Sequence, residues 1–170
     1  LTAEKPVVAA VNGAAAGASF SLALLCDLVL VSDKGYFRAA FPGLGAAPDL
    51  GLALTLPRAI GTPRAKDVLL TNRRIEAGKA VSIGIAKRVV PAATLLEEAV
   101  ALAKELAAGP ATFLGLTKTL LNNAYGTIED FFAAEAFAQS AAFGSREFAE
   151  GVDAFLHKRK PDFRKVTQNR

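Results

Sequence analysis

The segment from Pro6 to Ser32 limits the possible folds more than any other part of the chain. PVVAAV (Pro6 to Val11) is a short apolar run rich in β-branched residues, and the turn pair Asn12-Gly13 closes it. AAAGAS follows with only small side chains, ASFSLALLC from Ala18 to Cys26 is compatible with a helix, and DLVLVS has the content and length of a second buried strand. Strand, small-residue turn, helix and strand make a βαβ-like unit and predict an α/β front portion. A chain of 170 residues can bury a sizeable core as one domain. Although 52% of the residues are hydrophobic, no apolar run approaches the roughly 20 residues of a membrane span, so a soluble protein without a membrane partner is expected.

Further along, YFR (Tyr36 to Arg38) reads as a short strand, and AAFPGLGAAP is too rich in Gly and Pro to be regular. Leu50 to Ile60 is expected to be a helix ended by Gly61. Thr62-Pro63 supplies an N-cap and a first-turn proline for another helix through about Leu70. RIEAGKAVSIGIAKRVV then reads as a brief strand, a short helix stopped by Gly84, and a strand running into Pro91. The second half is helical. Leu95, Ala99, Leu102 and Leu106 share one helix face, and that helix breaks at Gly109-Pro110. Thr112 to Ala124 forms the next helix, Thr127 with Asp130 starts a third in the manner of a capping box, and a last helix runs from Ser145 to His157.

The net charge of +4 sits in one place. Residues 157 to 170 carry Lys158, Arg159, Lys160, Arg164, Lys165 and Arg170 against Asp162 alone, while the remainder holds 14 basic and 15 acidic residues. The body therefore has no general affinity for polyanions, and a nucleic-acid partner is not expected. No signal segment opens the chain and TQNR at the end is no address, which leaves the cytoplasm as the expected location. The chain starts at Leu1 and contains no methionine, from which a preceding N-terminal portion is expected. Cys26 is alone and reads as a buried small hydrophobe.

Absences narrow the chemistry. His157 is the single histidine and lies in the basic tail, so Ser/His/Asp catalysis and histidine metal sites are excluded. NGAAAGAS matches neither a dinucleotide fingerprint nor a phosphate loop. A helix beginning near Ala18 would aim unpaired N–H groups and the positive end of its dipole at the AAAG turn, where small side chains let an anion or oxyanion approach the backbone. Close packing of helix on sheet explains the same small residues. Asp49 is the only acidic residue between Lys34 and Lys66. Set among Ala46, Ala47, Pro48, Leu50 and Leu52, it reads either as the N-cap of the following helix or as a base strengthened by desolvation.

KPVVAAVNGAAAGASFSLALLCDLVLVSD, then PGLGAAPDLGLALTLPRAIG, then FLHKRKPDF resemble, in order and over about Lys5 to Arg164, the crotonase superfamily of acyl-CoA enzymes, the enoyl-CoA hydratases and isomerases. The resemblance implies a (ββα) spiral core. Residues 1–109 would be its distal part and 110–170 a C-terminal helical oligomerisation region, with the proximal part lying upstream. It also implies an acyl-CoA thioester substrate, coenzyme A entering only as part of that substrate, no metal or redox cofactor, and assembly into a homotrimer or a dimer of trimers.

By the same resemblance the turn Gly17-Ala18 supplies an oxyanion-hole amide, with the Ala18 N–H as the donor. Ala16, Phe41 and Leu44 would line the substrate, and Lys158 and Lys160 are candidates for the coenzyme A phosphates, although such a charge run also reads as a solvated face. The two glutamates of the hydratase pattern are replaced by Ser21 and Phe41. Asp49 falls where isomerase branches place a single carboxylate, and PDLG with Ser21 looks most like the branch acting on ring-derived phenylacetyl-CoA intermediates and Δ3-enoyl-CoAs. An isomerase working through a thioester enolate is therefore expected, with a hydratase or a catalytically silent acyl-CoA-binding subunit as the alternatives. Phe148, Val152 and Phe155 are expected to pack or to form an interface.

Overall fold

The structure, a computed structural model that describes residues 3–167, contains the βαβ unit. β1 (Val8–Val11) and β3 (Leu28–Ser32) pair in parallel, with Val8 opposite Leu28 and Val11 opposite Val31, and α1 (Ala18–Leu25) connects them. β6 (Arg88–Val90) joins the other edge of β3, again in parallel, giving the order β1-β3-β6. As the central strand, β3 buries both faces. Val29 and Val31 enter a core with Phe20, Phe37, Leu52 and Leu56, and Leu30 enters a smaller one with Val90, Leu95 and Ala99.

A second sheet has the order β2-β4-β5. β2 (Ala14–Ala16) runs parallel to β4 (Tyr36–Arg38), and β5 (Ile75–Glu76) runs antiparallel to it. The three alanines of β2 were expected in a turn of small residues. Alanine has little preference for a strand, so it is the ladder to Tyr36, Phe37 and Arg38 that makes this segment extended. Phe37 is fully buried, and its ring centre lies 5.1 Å from that of Phe20. Gly35, where the chain leaves β3 for β4, has no room for a side chain. A Cβ there would stand 2.8 Å from Val31 Cγ2 and 3.0 Å from the Val11 carbonyl oxygen.

α2 (Leu52–Ile60), α3 (Thr62–Thr71) and α4 (Ala77–Ile83) follow, with Leu52, Leu56 and Ile60 forming the buried stripe of α2. Two helix starts differ from the sequence expectation. Gly51, left-handed at φ 76°, precedes α2, and Gly61 precedes α3, so Thr62 is the first helical residue and its hydroxyl caps nothing. Glycine reaches these backbone angles without the Cβ clash that Asp or Thr would meet.

The chain divides into two compact units, one from Val7 to Leu102 and the other made of the segment up to Pro6 with everything from Ala103 on. The division falls inside α5 (Leu95–Ala107). The second unit is helical, with α6 (Ala111–Asn123), α7 (Ile128–Phe143), α8 (Arg146–Leu156) and α9 (Phe163–Thr167). The Thr127 hydroxyl accepts the Asp130 N–H as the capping pattern predicts, and Ser145 does the same for Phe148. Glu147, 8% exposed, accepts the Thr112 N–H at 2.9 Å and so completes the start of α6. Phe113, Phe143, Phe148, Val152, Phe155 and Phe163 line an apolar groove of about 470 Å³. Phe155 is 82% and Phe137 75% exposed. Arg170 of the basic tail and the terminal TQNR, apart from the backbone of Thr167, lie outside the described residues. Among those described, no single helix is long and apolar enough to cross a membrane.

Candidate active site

The turn between β2 and α1 is built around Gly17, whose φ of 59° and ψ of −125° suit glycine far better than any residue with a Cβ. Four of the local amides are committed. The Gly17 N–H donates to the Arg38 carbonyl at 3.1 Å, and the N–H groups of Phe20 and Ser21 both donate to the Gly17 carbonyl. Ser19 Oγ accepts the Ala16 N–H at 2.8 Å and donates back to the Ala16 carbonyl at 2.9 Å. The Ala18 N–H, first of the helix, donates to no group among the described residues, and Ala18 is exposed. Of the expected pair, Gly17 forms the turn and Ala18 offers an open amide at the positive end of α1.

Beyond β4 the chain folds into a 3₁₀ turn, Phe41–Leu44, whose preceding residue Ala40 is left-handed at φ 65°. Phe41 is 7% exposed, and its ring edge lies 4.0 Å from the point a Gly17 side chain would occupy, so these two expected site residues are neighbours. Ala16 is half-buried, while Leu44 is 82% exposed. From Phe41 the loop runs to Asp49 and into α2, which packs against α1.

Asp49 departs from both parts of its expected setting. It is not a cap: Gly51 precedes the helix, and Asp49 contributes only its carbonyl, which accepts the Leu52 N–H at 3.0 Å. Nor is it desolvated. Its side chain is exposed, because Leu52 turns into the core while Ala46, Ala47 and Leu50 face outward with it. Its carboxylate makes no hydrogen bond or ion pair among the described residues. Ser21 is fully buried and donates its hydroxyl to the Gly17 carbonyl at 3.3 Å.

The sequence profile described as enoyl-CoA hydratase/isomerase matches residues 1–166. The chain belongs to the enoyl-CoA hydratase/isomerase family. It is 41% identical over 160 residues to the 1,2-epoxyphenylacetyl-CoA isomerase of Escherichia coli strain K12, covering 94% of this chain and 61% of that protein. It is 32% identical over 162 residues to the mitochondrial enoyl-CoA hydratase of Pongo abelii, covering 95% of this chain and 56% of that one. The crystal structure of an enoyl-CoA hydratase from Polaromonas sp. JS666 superposes with a TM-score of 0.89 at 36% identity, over 95% of this chain and 63% of that chain. The fold is thus that of the crotonases, and the chain spans less than two thirds of the length of these relatives. At the two places where resemblance to the hydratases leads one to expect glutamates, this member of the enoyl-CoA hydratase/isomerase family has the buried Ser21 hydroxyl and the buried Phe41 ring.

Lys158 and Lys160 belong to the helical unit. Both are exposed, and neither ammonium has an ion-pair partner among the described residues. Lys158 is left-handed at φ 52°, in a turn tied down by Arg159, which pairs with Glu150 and Asp153. The Arg159 guanidinium, helped by the Asp162 N–H, lowers the Glu150 carboxyl from 4.5 to about 2. A carboxyl depressed on folding contributes stability that is present above its unfolded value and lost as pH falls through its folded value. Melting temperature should therefore fall more steeply in the wild type than in Glu150→Gln between pH 4.5 and about 2, the window set by that carboxyl. Parallel curves would remove the pair from the acid response.

Among the described residues no three His, Cys, Asp or Glu side chains gather into a metal-binding set. Cys26 is half-buried rather than buried, with Sγ 3.4 Å from the Leu22 carbonyl oxygen. Asn72, at the C-terminal end of α3, escaped the sequence reading although it touches the loop that carries Phe41. An Asn just after a helical run is a known signal for a left-handed cap, and Asn72 adopts φ 53°.

Proposed function

We propose that the protein is an acyl-CoA isomerase that moves a double bond from Δ3 to Δ2, or makes the equivalent shift in a ring-derived acyl-CoA, through a thioester enolate. The observation that carries this reading is a lone carboxylate, Asp49, that neither caps a helix nor pairs with a cation. Asp49 takes a proton from the α-carbon of the bound thioester, the electron pair moves onto the thioester oxygen, and the Ala18 N–H stabilises the negative charge there. The enolate collapses as Asp49 returns the proton two carbons further along the acyl chain, so the double bond ends in conjugation with the carbonyl. One base suffices, since the proton lost and the proton gained are the same in number and no water is consumed.

Hydration differs in needing a water to be held and activated, and Ser21 and Phe41 supply no carboxylate for it. Coenzyme A arrives with the substrate and no resident cofactor takes part. The exposed Phe137 and Phe155 rings of the helical unit support assembly into a homotrimer or a dimer of trimers; the cytoplasm is the proposed location. The test is to give the full chain a 3-enoyl-CoA and a 2-enoyl-CoA in parallel. Isomerisation of the first should far outpace hydration of the second. The reverse order would make the protein a hydratase, and binding of both esters without turnover would make it a silent acyl-CoA-binding subunit.

A further inference from the structure

We infer that Asn72 is a positioning residue of this site, resting on the acyl-CoA reading above: its side chain holds Phe41 against the Gly17-Ala18 turn. Two hydrogen bonds converge on it, and its amide group borders Gly43. Asn72 Oδ1 accepts the Ala40 N–H at 2.8 Å, its main-chain carbonyl accepts from Arg38 Nε at 3.1 Å, and its Nδ2 lies 3.7 Å from where a Gly43 side chain would start. Asn72 thereby clamps the residues on both sides of the fully buried Ala39.

What the clamp holds is costly. Ala40 is left-handed at φ 65°, a backbone state that a residue with a Cβ occupies only when its surroundings insist. On the opposite side, the Ala39 carbonyl, the Ala40 methyl and the Phe41 ring edge lie 3.8, 3.8 and 4.0 Å from the point of a Gly17 side chain. Arg38 closes the circuit, because its carbonyl receives the Gly17 N–H. One asparagine just after α3 therefore sets how far the Phe41 ring stands from the open Ala18 amide. Without the Oδ1 acceptor, Ala40 loses the bond that favours its left-handed state and can swing toward ordinary angles, carrying Phe41 with it. Asn72 has no part in the chemistry itself, and its effect should appear in the fit of the acyl group.

Three variants of the full chain separate this role from simple helix capping. Asn72→Asp keeps both an acceptor and tolerance of the left-handed state, Asn72→Gly keeps only the backbone freedom, and Asn72→Ala keeps neither. Isomerase kcat/KM should fall about tenfold to a hundredfold in both Asn72→Gly and Asn72→Ala and stay within about threefold in Asn72→Asp, as expected when a change remote from the chemistry misplaces the bound acyl group by up to about an ångström. Calorimetric binding of butyryl-CoA and octanoyl-CoA gives a readout that needs no turnover. The ratio of their affinities should change in Asn72→Gly and be restored in Asn72→Asp. If Asn72→Gly matches the wild type in both measurements, Asn72 only caps α3 and the inference is overturned while the isomerase reading stands. An inactive wild type whose affinity ratio still responds to Asn72→Gly would overturn the isomerase chemistry and uphold the positioning role. A wild type that binds neither ester would overturn both.

Discussion

Asp49→Asn is expected to lower kcat for isomerisation of a 3-enoyl-CoA by about 10²- to 10⁴-fold, the usual contribution of a positioned general base. The substitution is nearly isosteric, and an amide cannot take the α-proton. Its effect on the fold should be small, since the Asp49 side chain is exposed, caps no helix and pairs with no cation. The only bond the residue makes to α2 is through its carbonyl, which asparagine keeps. Melting temperature should stay within the small range of surface substitutions, about 0.5 kcal/mol in stability. KM should move little, because the lost interaction acts on the proton in flight and not on the bound ground state. Steady-state kinetics with 3-enoyl-CoA, read beside a thermal melt, checks both halves. An Asp49→Asn protein that isomerises at the wild-type rate would place the base elsewhere.

Ala18→Pro is the second large effect. Proline is well accommodated at the first position of a helix, where its missing N–H would have found no partner in any case. Here that missing N–H donates to no group among the described residues, so the substitution deletes one donor and little else. Loss of a single oxyanion donor should cost about 10² to 10³ in kcat, or roughly 3 to 4 kcal/mol of transition-state stabilisation. Far-ultraviolet circular dichroism should remain that of the wild type, and binding of a saturated acyl-CoA should weaken much less than turnover falls. Retained turnover with a retained fold would show that the enolate charge is not held at Ala18.

These two residues also mark how far the sequence could be read. The βαβ unit was visible because Val/Leu runs of strand length flank a helix-compatible stretch, and β3 is buried on both faces as such a run implies. The motifs around Ala18 and Asp49 pointed to the family, which the profile match over residues 1–166 shows. The setting of each residue was less legible. Asp before a helical run signals an N-cap, yet the left-handed Gly51 takes the position directly before α2 and Asp49 is left uncommitted. An apolar local sequence suggested a desolvated carboxylate, but burial depends on which way neighbours turn, and only Leu52 turns inward. β2 was invisible for a related reason, since three alanines carry almost no strand signal until Tyr36, Phe37 and Arg38 are laid beside them.

By itself the sequence determined what is local: the hydrophobic periods, the glycine turns, the Thr127 cap, and the absence of a carboxylate at positions 21 and 41. Those depend on residue type and on neighbours within a few positions. Only the tertiary structure decided that Gly17 gives up its N–H to Arg38 while Ala18 keeps its own, and that Asn72, remote in sequence, holds Ala40 in a left-handed state beside them. Hydrogen-bond competition and exposure are properties of what lies across space, and no stretch of ten residues contains them.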